Sequence, residues 1–194
     1  MPTHVALLRG INVGGGGKLL MADLRRLVVS LGHADVATYI QSGNLIFTPS
    51  HADTAALAAE LRAAIAGSHG VDPPVIVLSS QELAEVVSAN PYPDEPVPKY
   101  VHCVFLPESP DQAAHVWIAE AAQAAAARGS ADEAALIGRT LYVHTPDGFG
   151  TSDLAKTLLM TRSSPVATGT ARNWSTVTKL LALCRGDGSH VTVT

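Results

Sequence analysis

A chain of 194 residues, 47% of them hydrophobic, is long enough to bury a core as one domain or as two small, tightly packed halves. Cys103 and Cys184 are far apart and lack metal-type spacing, which argues against a disulfide framework and a zinc site and favours a cytoplasmic protein. The formal net charge of −4 argues against a general nucleic-acid binder, and no apolar run reaches the roughly 18 residues of a membrane helix, so no membrane partner is expected.

Hydrophobic periodicity in the first half of the sequence predicts the element order β-α-β-β-α-β. Gly32 ends the first helix, and Ser42-Gly43 predicts a two-residue hairpin between the second and third strands. The predicted elements are a strand at 5–13, a helix at 21–31, strands at 36–41 and 44–48, a helix with Leu57, Leu61 and Ile65 at i, i+4 spacing, and a strand at 75–78.

A capping box of Ser79 and Glu82 begins a short helix, and a proline-rich connection that ends at Pro98 follows it. The second half begins after this connection. Its pattern predicts the same β-α-β-β-α-β order, again with alternating strands and amphipathic helices. The elements are a strand at 100–106, a helix at 111–128, strands at 134–137 and 141–145, a helix at 153–161 capped by Ser152, an extended piece at 166–171 and a final helix at 174–184.

This repeated order predicts an α+β fold of two ferredoxin-like βαββαβ halves with antiparallel sheets, followed by a C-terminal helix. We expect the first half over residues 1–80, the capping helix and connection over 81–99, and the second half with the C-terminal helix over 100–194.

The most informative segment is the strand pattern that ends at Val13 and continues into four glycines, Gly14 to Gly17, and Lys18. Glycine N–H groups can converge on an anion, and the helix near Met21 would add its positive end. The segment fails the Walker A pattern, because Leu19 stands where Ser or Thr is required, and it matches the dinucleotide fingerprint only weakly. The pattern predicts an anion site that includes Asn12, Gly14, Gly15 and Lys18; the alternative is a flexible loop without a ligand.

Arg9 is predicted to lie in phase with Val5, Leu7, Ile11 and Val13, where an apolar residue would be expected. A charge at such a position needs a partner, which is either a carboxylate between the two halves or an anionic ligand. Both alternatives stay open. Asn12 has the opposite phase and lies nearest the loop, where it either fixes the loop conformation or contacts the ligand.

A second polar cluster begins the final helix. Asn173 is a natural N-cap, and the first helical turn is rich in hydroxyl groups. Free helix N–H groups, Arg172 and Thr176 together suit an anion, and Lys179 is a further candidate charge partner. The alternative is that Asn173 acts only as a cap.

The hairpin at 39–44 is also polar, and turn chemistry alone explains its Ser42-Gly43 pair. In a βαββαβ sheet we expect the first strand to end at the opposite edge from this hairpin, so that the glycine loop and the hairpin do not form one small pocket. The eight histidines lack metal spacing, so no metal site is predicted. His102 and Cys103 point to opposite faces of a strand, and the sequence leaves catalytic residues, a cofactor and any reaction unassigned.

Three segments resemble the bacterial family catalogued as domain of unknown function 1697: LLRGINVGG at 7–15, TYIQSGN at 38–44 and RNWSTVTKL at 172–180. Ala-Asn-Pro at 89–91 and Pro-Asp-Gly-Phe-Gly at 146–150 are similar to the family as well. The resemblance implies an α+β fold of two ferredoxin-like subdomains and no established activity. Family members usually carry Lys/Asn-type residues soon after Val-Gly-Gly, whereas this loop extends its glycine run to Gly17.

Charge is distributed unevenly along the chain. Residues 1–50 carry four bases and two acids, residues 51–150 carry four bases and thirteen acids, and residues 151–185 carry five bases and one acid. Because the two ends are locally basic, the leading hypothesis is binding of a small anionic or phosphorylated ligand at the glycine-rich loop. The alternatives are a nucleic-acid-binding module, for which an aromatic content of 5% is low, and a scaffold whose polar motifs only order turns.

Overall fold

The computed structural model describes residues 1–13 and 17–186. The chain divides into two compact units, Met1–Glu85 with Thr178–Thr194 and Val86–Val177. Each unit contains one four-stranded antiparallel sheet, and the described residues form six α-helices. The predicted α+β class with antiparallel sheets is therefore confirmed.

The first unit has the strand order β2-β3-β1-β4, with β1 antiparallel to both of its neighbours. The long helix α2 begins at the cap Asp53, whose carboxylate accepts the N–H groups of Ala55 and Ala56. The elements of this unit are β1 (His4–Leu8), α1 (Met21–Ser30), β2 (Ala34–Tyr39), β3 (Asn44–Thr48), α2 (Thr54–His69), β4 (Val75–Ser79) and the first residues of α3 (Ser80–Ser88).

One face of this sheet and the helices α1 and α2 enclose the core of the first unit. The i, i+4 spacing that predicted a buried face on α2 is confirmed, because Leu57, Leu61 and Ile65 are fully buried. These side chains pack with Leu24 and Val28 of α1. Burial of one such side chain contributes about 1.5–3 kcal/mol, so the apolar periodicity of the helices is enough to orient them.

The second unit has the strand order β6-β7-β5-β8. When the strands are numbered within each unit, this order is the same as that of the first unit. Ser152 caps α5 as predicted, since its Oγ accepts the N–H of Ala155 at 2.8 Å. The core lies between α4, α5 and one sheet face. The elements are β5 (Val101–Phe105), α4 (Gln112–Ala126), β6 (Glu133–Ile137), β7 (Thr140–His144), α5 (Asp153–Met160), β8 (Thr170–Asn173) and the first residues of α6 (Trp174–Arg185).

The first strand is shorter than predicted. It ends at Leu8, because Gly10 and Asn12 have φ values of 70° and 55°, and these left-handed conformations cannot continue a β-ladder. The strand before the last helix also differs, since β8 covers Thr170–Asn173 where the sequence predicted an extended piece at 166–171.

The hairpin between β2 and β3 was predicted to have two residues and has four, at 40–43. Tyr39 and Asn44 face each other as the last strand pair, and Ile40 leaves the extended region with a φ of 51°. Gly43 closes the turn with a φ of 78°. A Cβ atom at Gly43 would lie 2.8 Å from both Ile11 Cδ1 and Leu8 Cβ, so this position needs glycine for conformation and for space.

We expect Gly43→Ala to lower the free energy of unfolding by about 2–4 kcal/mol, because left-handed strain and overpacking both act at this position. Gly70→Ala is the matched control, since Gly70 has a φ of 66° and a Cβ atom added there would meet no tertiary neighbour within 4 Å. It carries only the conformational cost of about 1 kcal/mol. Equal losses for the two variants in urea denaturation would contradict the packing argument.

The proline-rich connection in the second unit is held against β7 by one polar cluster. The Nε2 of His144 lies 2.7 Å from Oε2 of Glu95, and both side chains are largely buried. The Glu95 carboxylate also accepts the N–H of Val97 at 2.8 Å, and the ring of Tyr92 stacks on His144. The hydrogen bond from His144, followed by that from Val97, lowers the pKa of Glu95 below its ordinary value of 4.5.

This pKa shift predicts a pH-dependent contribution to stability. Because the folded protein holds the Glu95 pKa low, the stabilisation is complete above pH 4.5 and is lost as the pH falls through the lowered pKa. Glu95→Gln should therefore unfold at lower urea concentration than wild type at pH 6 and approach wild type at pH 3. Glu120→Gln, which removes an exposed carboxylate, should show no such pH dependence. A constant difference for Glu95→Gln across this range would disprove the assignment.

Candidate functional site

Asn12 holds together the backbone at one end of the first unit. Its Nδ2 donates hydrogen bonds to the carbonyl oxygens of Leu19 at 2.7 Å and Gln41 at 2.9 Å, and its Oδ1 accepts the N–H of Leu19 at 3.0 Å. The backbone N–H of Asn12 also donates to the carbonyl of Gly17 at 3.1 Å. One side chain thus joins the two ends of the glycine loop to the β2–β3 hairpin. We call residues 9–13, 17–20 and 40–43 the loop–hairpin end.

The expectation that the glycine loop and the hairpin lie at opposite edges is wrong. Strands β1 and β3 are antiparallel, so the end of β1 lies beside the start of β3, which directly follows the hairpin. The N–H of Leu8 donates to the carbonyl of Gly43 at 2.8 Å, and Asn12 reaches Gln41. The loop base and the hairpin therefore form one cluster.

Gly17 is the described glycine of the run, and packing explains its presence. A Cβ atom there would lie 2.3 Å from Cγ1 of Val71, in the connection between α2 and β4, so no larger residue fits without a shift of the backbone or of Val71. The predicted ligand contacts Gly14 and Gly15 lie outside the described residues, as does Gly16.

Two basic side chains of the loop–hairpin end have no hydrogen-bond or ion-pair partner anywhere in residues 1–13 and 17–186. They are Arg9, which is half-buried just after β1, and Lys18, which is exposed. Arg9 is positioned through its backbone, since its N–H donates to the carbonyl of Pro74 at 3.0 Å. By contrast, Arg62 of the same unit forms a two-point pair with Asp72 at 2.5 and 2.7 Å.

Helix α1 starts in this cluster without a side-chain cap. Its N-cap position is Leu20, whereas α2, α4, α5 and α6 have Asp53, Asp111, Ser152 and Asn173 at that position with side chains that accept helix N–H groups. The first N–H groups of α1 consequently receive no side-chain acceptor from their own cap. The Asp23 carboxylate in the first turn offsets part of the positive end of the helix, and its pairing with Arg26 weakens this effect.

The second predicted cluster is well hydrogen-bonded. Asn173 is the predicted N-cap of α6, because its Oδ1 accepts the N–H of Thr176 at 2.9 Å. Arg172 is buried in β8, its Nη1 donates to the carbonyl of Ala171 at 2.8 Å, and burial lowers its pKa to about 10, which leaves it charged at neutral pH. Arg172, Asn173 and Thr176 belong to the second unit, whereas Lys179 is half-buried in the part of α6 that belongs to the first.

Of the reactive side chains of β5, Cys103 is buried and His102 is partly buried. His102 stacks on Phe149 with ring centroids 3.8 Å apart, and desolvation lowers its pKa to about 4. Burial raises the pKa of the Cys103 thiol, which leaves that side chain protonated and unreactive at neutral pH. No group of three or more His, Cys, Asp or Glu side chains within the described chain is arranged to hold a metal ion.

Sequence reasoning did not identify the backbone partners of the site, namely the carbonyls of Leu19, Gln41 and Pro74. Any residue supplies such a carbonyl, so no side-chain pattern marks these positions. The one available signal was the polar hairpin tip around Gln41, which the topological argument wrongly separated from the loop.

Comparison with known proteins places the chain in a family. The family described as Protein of unknown function (DUF1697) matches residues 1–142, and the chain belongs to it, which confirms the resemblance seen in the motifs. The conserved bacterial protein SP0830 from Streptococcus pneumoniae has a similar fold, with a TM-score of 0.71 and 23% sequence identity over 94% of this chain and 98% of that chain. No curated protein matches the sequence. None of the helices in the described part of the chain has the length and apolar character needed to cross a membrane.

The hydrogen bonds of Asn12 predict a graded effect of substitution. Asn12→Ala removes all three side-chain bonds and should lower the free energy of unfolding by about 2–4 kcal/mol. Asn12→Asp keeps the acceptor for Leu19 N–H and places a carboxylate oxygen against two carbonyl oxygens, so we expect a loss at least as large. Asn12→Gly keeps the left-handed backbone and isolates the side-chain contribution. Full stability of Asn12→Asp in urea denaturation would disprove the assigned hydrogen-bond directions.

Proposed function

We propose that this protein binds a small anionic, phosphorylated ligand at the loop–hairpin end of the first unit. The observation that carries the proposal is the pair of basic side chains, Arg9 and Lys18, which have no partner among the described residues and flank a loop tied together by Asn12. Because no carboxylate among the described residues neutralises these two cations, they are available to an external anion. A phosphate supplies both the charge and the hydrogen-bond acceptors that the two side chains lack.

The residues have different roles in this proposal. Arg9 offers planar, two-point hydrogen bonding to phosphate oxygens, and Lys18 offers a compact charge on a flexible stem. Asn12 acts as a positioning residue, since its polar atoms already bind backbone groups. The start of α1, which has no side-chain cap, adds its N–H groups to the proposed site. Gly14 and Gly15 remain predicted backbone donors from the sequence.

The second cluster remains a prediction and is not needed for this site. Arg172, Asn173, Thr176 and Lys179 are candidate contacts of an anion at the start of α6. The cap from Asn173 to the Thr176 N–H favours a scaffold role for that asparagine, because a capped N–H group is not available to a ligand without displacing the cap.

We also propose that the two units are ferredoxin-like halves related by duplication, with the C-terminal helix as an addition. The support is the shared strand order, in which the first strand of each unit lies between the third and the fourth. The boundaries 1–80, 81–99 and 100–194 belong to this proposal.

We further propose a cytoplasmic location, because Cys103 and Cys184 are free and buried, which suits a reducing compartment.

Calorimetric titration with inorganic phosphate tests the ligand site. We expect Arg9→Ala and Lys18→Ala each to weaken phosphate binding by about tenfold, which corresponds to the roughly 1.5 kcal/mol of a charged hydrogen bond. Arg9→Lys should bind with intermediate affinity, because it keeps the charge and loses the two-point geometry.

Arg185→Ala is the matched control for this titration. It removes an exposed arginine of the same unit in the last turn of α6, beside Gly186, which lies against Met1 at the other end of β1, and it should leave phosphate binding unchanged. The proposal fails if wild type does not bind phosphate, sulfate or any phosphorylated compound in a screen, or if the control weakens binding as much as Arg9→Ala does.

A further inference from the structure

Three large apolar residues of the loop–hairpin end are exposed. Val13, Leu20 and Ile40 are 53%, 67% and 50% exposed. Each lies one residue along the chain from a residue in the Asn12 hydrogen-bond cluster: Val13 follows Asn12, Leu20 follows Leu19 and Ile40 precedes Gln41. Consecutive Cα atoms are about 3.8 Å apart, so the backbones of these three residues lie close to the Asn12 hydrogen bonds.

Ile40 is in an unfavourable conformation that packing does not explain. Its φ of 51° places a β-branched residue in the left-handed region, where the crowded Cβ makes the conformation costly. A buried side chain could offset this cost through contacts, but half of the Ile40 side chain faces solvent. Asn or Gly would adopt this conformation more easily, so folding alone gives no reason for an isoleucine here.

The apolar side chains and the unpartnered charges occupy the same end of the unit. Arg9 follows Leu8, whose N–H is bonded to the hairpin residue Gly43, and Lys18 lies two residues before Leu20. A ligand held by these cations would have Val13, Leu20 and Ile40 as its apolar surroundings. Inorganic phosphate would leave them exposed to water.

We infer that the ligand of this site is a phosphate monoester of an apolar alcohol, with its phosphate at Arg9 and Lys18 and its hydrocarbon group against Val13, Leu20 and Ile40. This inference rests on the proposed function and adds the class of ligand. A hydrocarbon group that covers these side chains removes apolar surface from water on both partners, which favours the ester over free phosphate.

Calorimetric titration of the whole protein with phenyl phosphate and inorganic phosphate tests the inference. We expect wild type to bind phenyl phosphate at least tenfold more tightly than inorganic phosphate. Ile40→Asn keeps the left-handed backbone and removes the apolar surface, so it should weaken phenyl phosphate binding severalfold more than inorganic phosphate binding and raise the melting temperature. Val13→Ser is a second variant that should also reduce the ratio without relying on the hairpin.

Val29→Ser is the matched control, because it replaces an exposed β-branched residue on α1 outside the loop–hairpin end and should preserve the ratio. Equal affinities of wild type for the two compounds, or a ratio that survives both Ile40→Asn and Val13→Ser, would overturn the inference while leaving the phosphate site intact. Failure to bind either compound would overturn both proposals. Binding only to vesicles of phosphatidic acid, and not to phenyl phosphate, would replace the soluble ester with a membrane lipid and overturn the inference.

Discussion

The side chain of Asn12 is the constraint on which the loop–hairpin end depends. A single short amide satisfies the backbone N–H and carbonyl of Leu19 and the carbonyl of Gln41. It can do so because the left-handed backbone at Asn12 turns the chain out of β1. An asparagine adopts this conformation at low cost and has both a donor and an acceptor at the required distance from its Cα, which explains why this residue type stands between the strand and the glycine run.

Antiparallel pairing of β1 with β3 explains why the hairpin belongs to the same site. The strand that leads into the loop runs toward the turn from which its neighbour starts, so the two connections meet at one end of the sheet. Close packing then limits the residues at the meeting point, with Gly43 against Leu8 and Ile11, and Gly17 against Val71. Glycine is required in this region for space as well as for backbone freedom.

Local patterns predicted the parts of the structure that depend on neighbouring residues. The buried face of α2, the reciprocal capping box of Ser79 and Glu82, and the cap at Asn173 all follow from short spacings and are present. The end of β1 and the four-residue hairpin could not be predicted, because Ile40 adopts a conformation against its own preference. At the candidate site the sequence identified the cations Arg9 and Lys18. It could not identify the backbone carbonyls of Leu19, Gln41 and Pro74, which position the loop and Arg9.

A scaffold without a ligand accounts for some of these residues and leaves others without a reason. Asn12 and Asn173 are explained by the backbone groups they bind, and a scaffold needs nothing more from them. Arg9 and Ile40 are different, because Arg9 is a cation without a partner among the described residues and Ile40 is strained and exposed. The left-handed conformation of Ile40 costs folding free energy, and Arg9 is a charge that no carboxylate among the described residues neutralises. Because both features lie near the same hydrogen-bonded asparagine, the proposed ligand, anionic at one end and apolar at the other, accounts for them together.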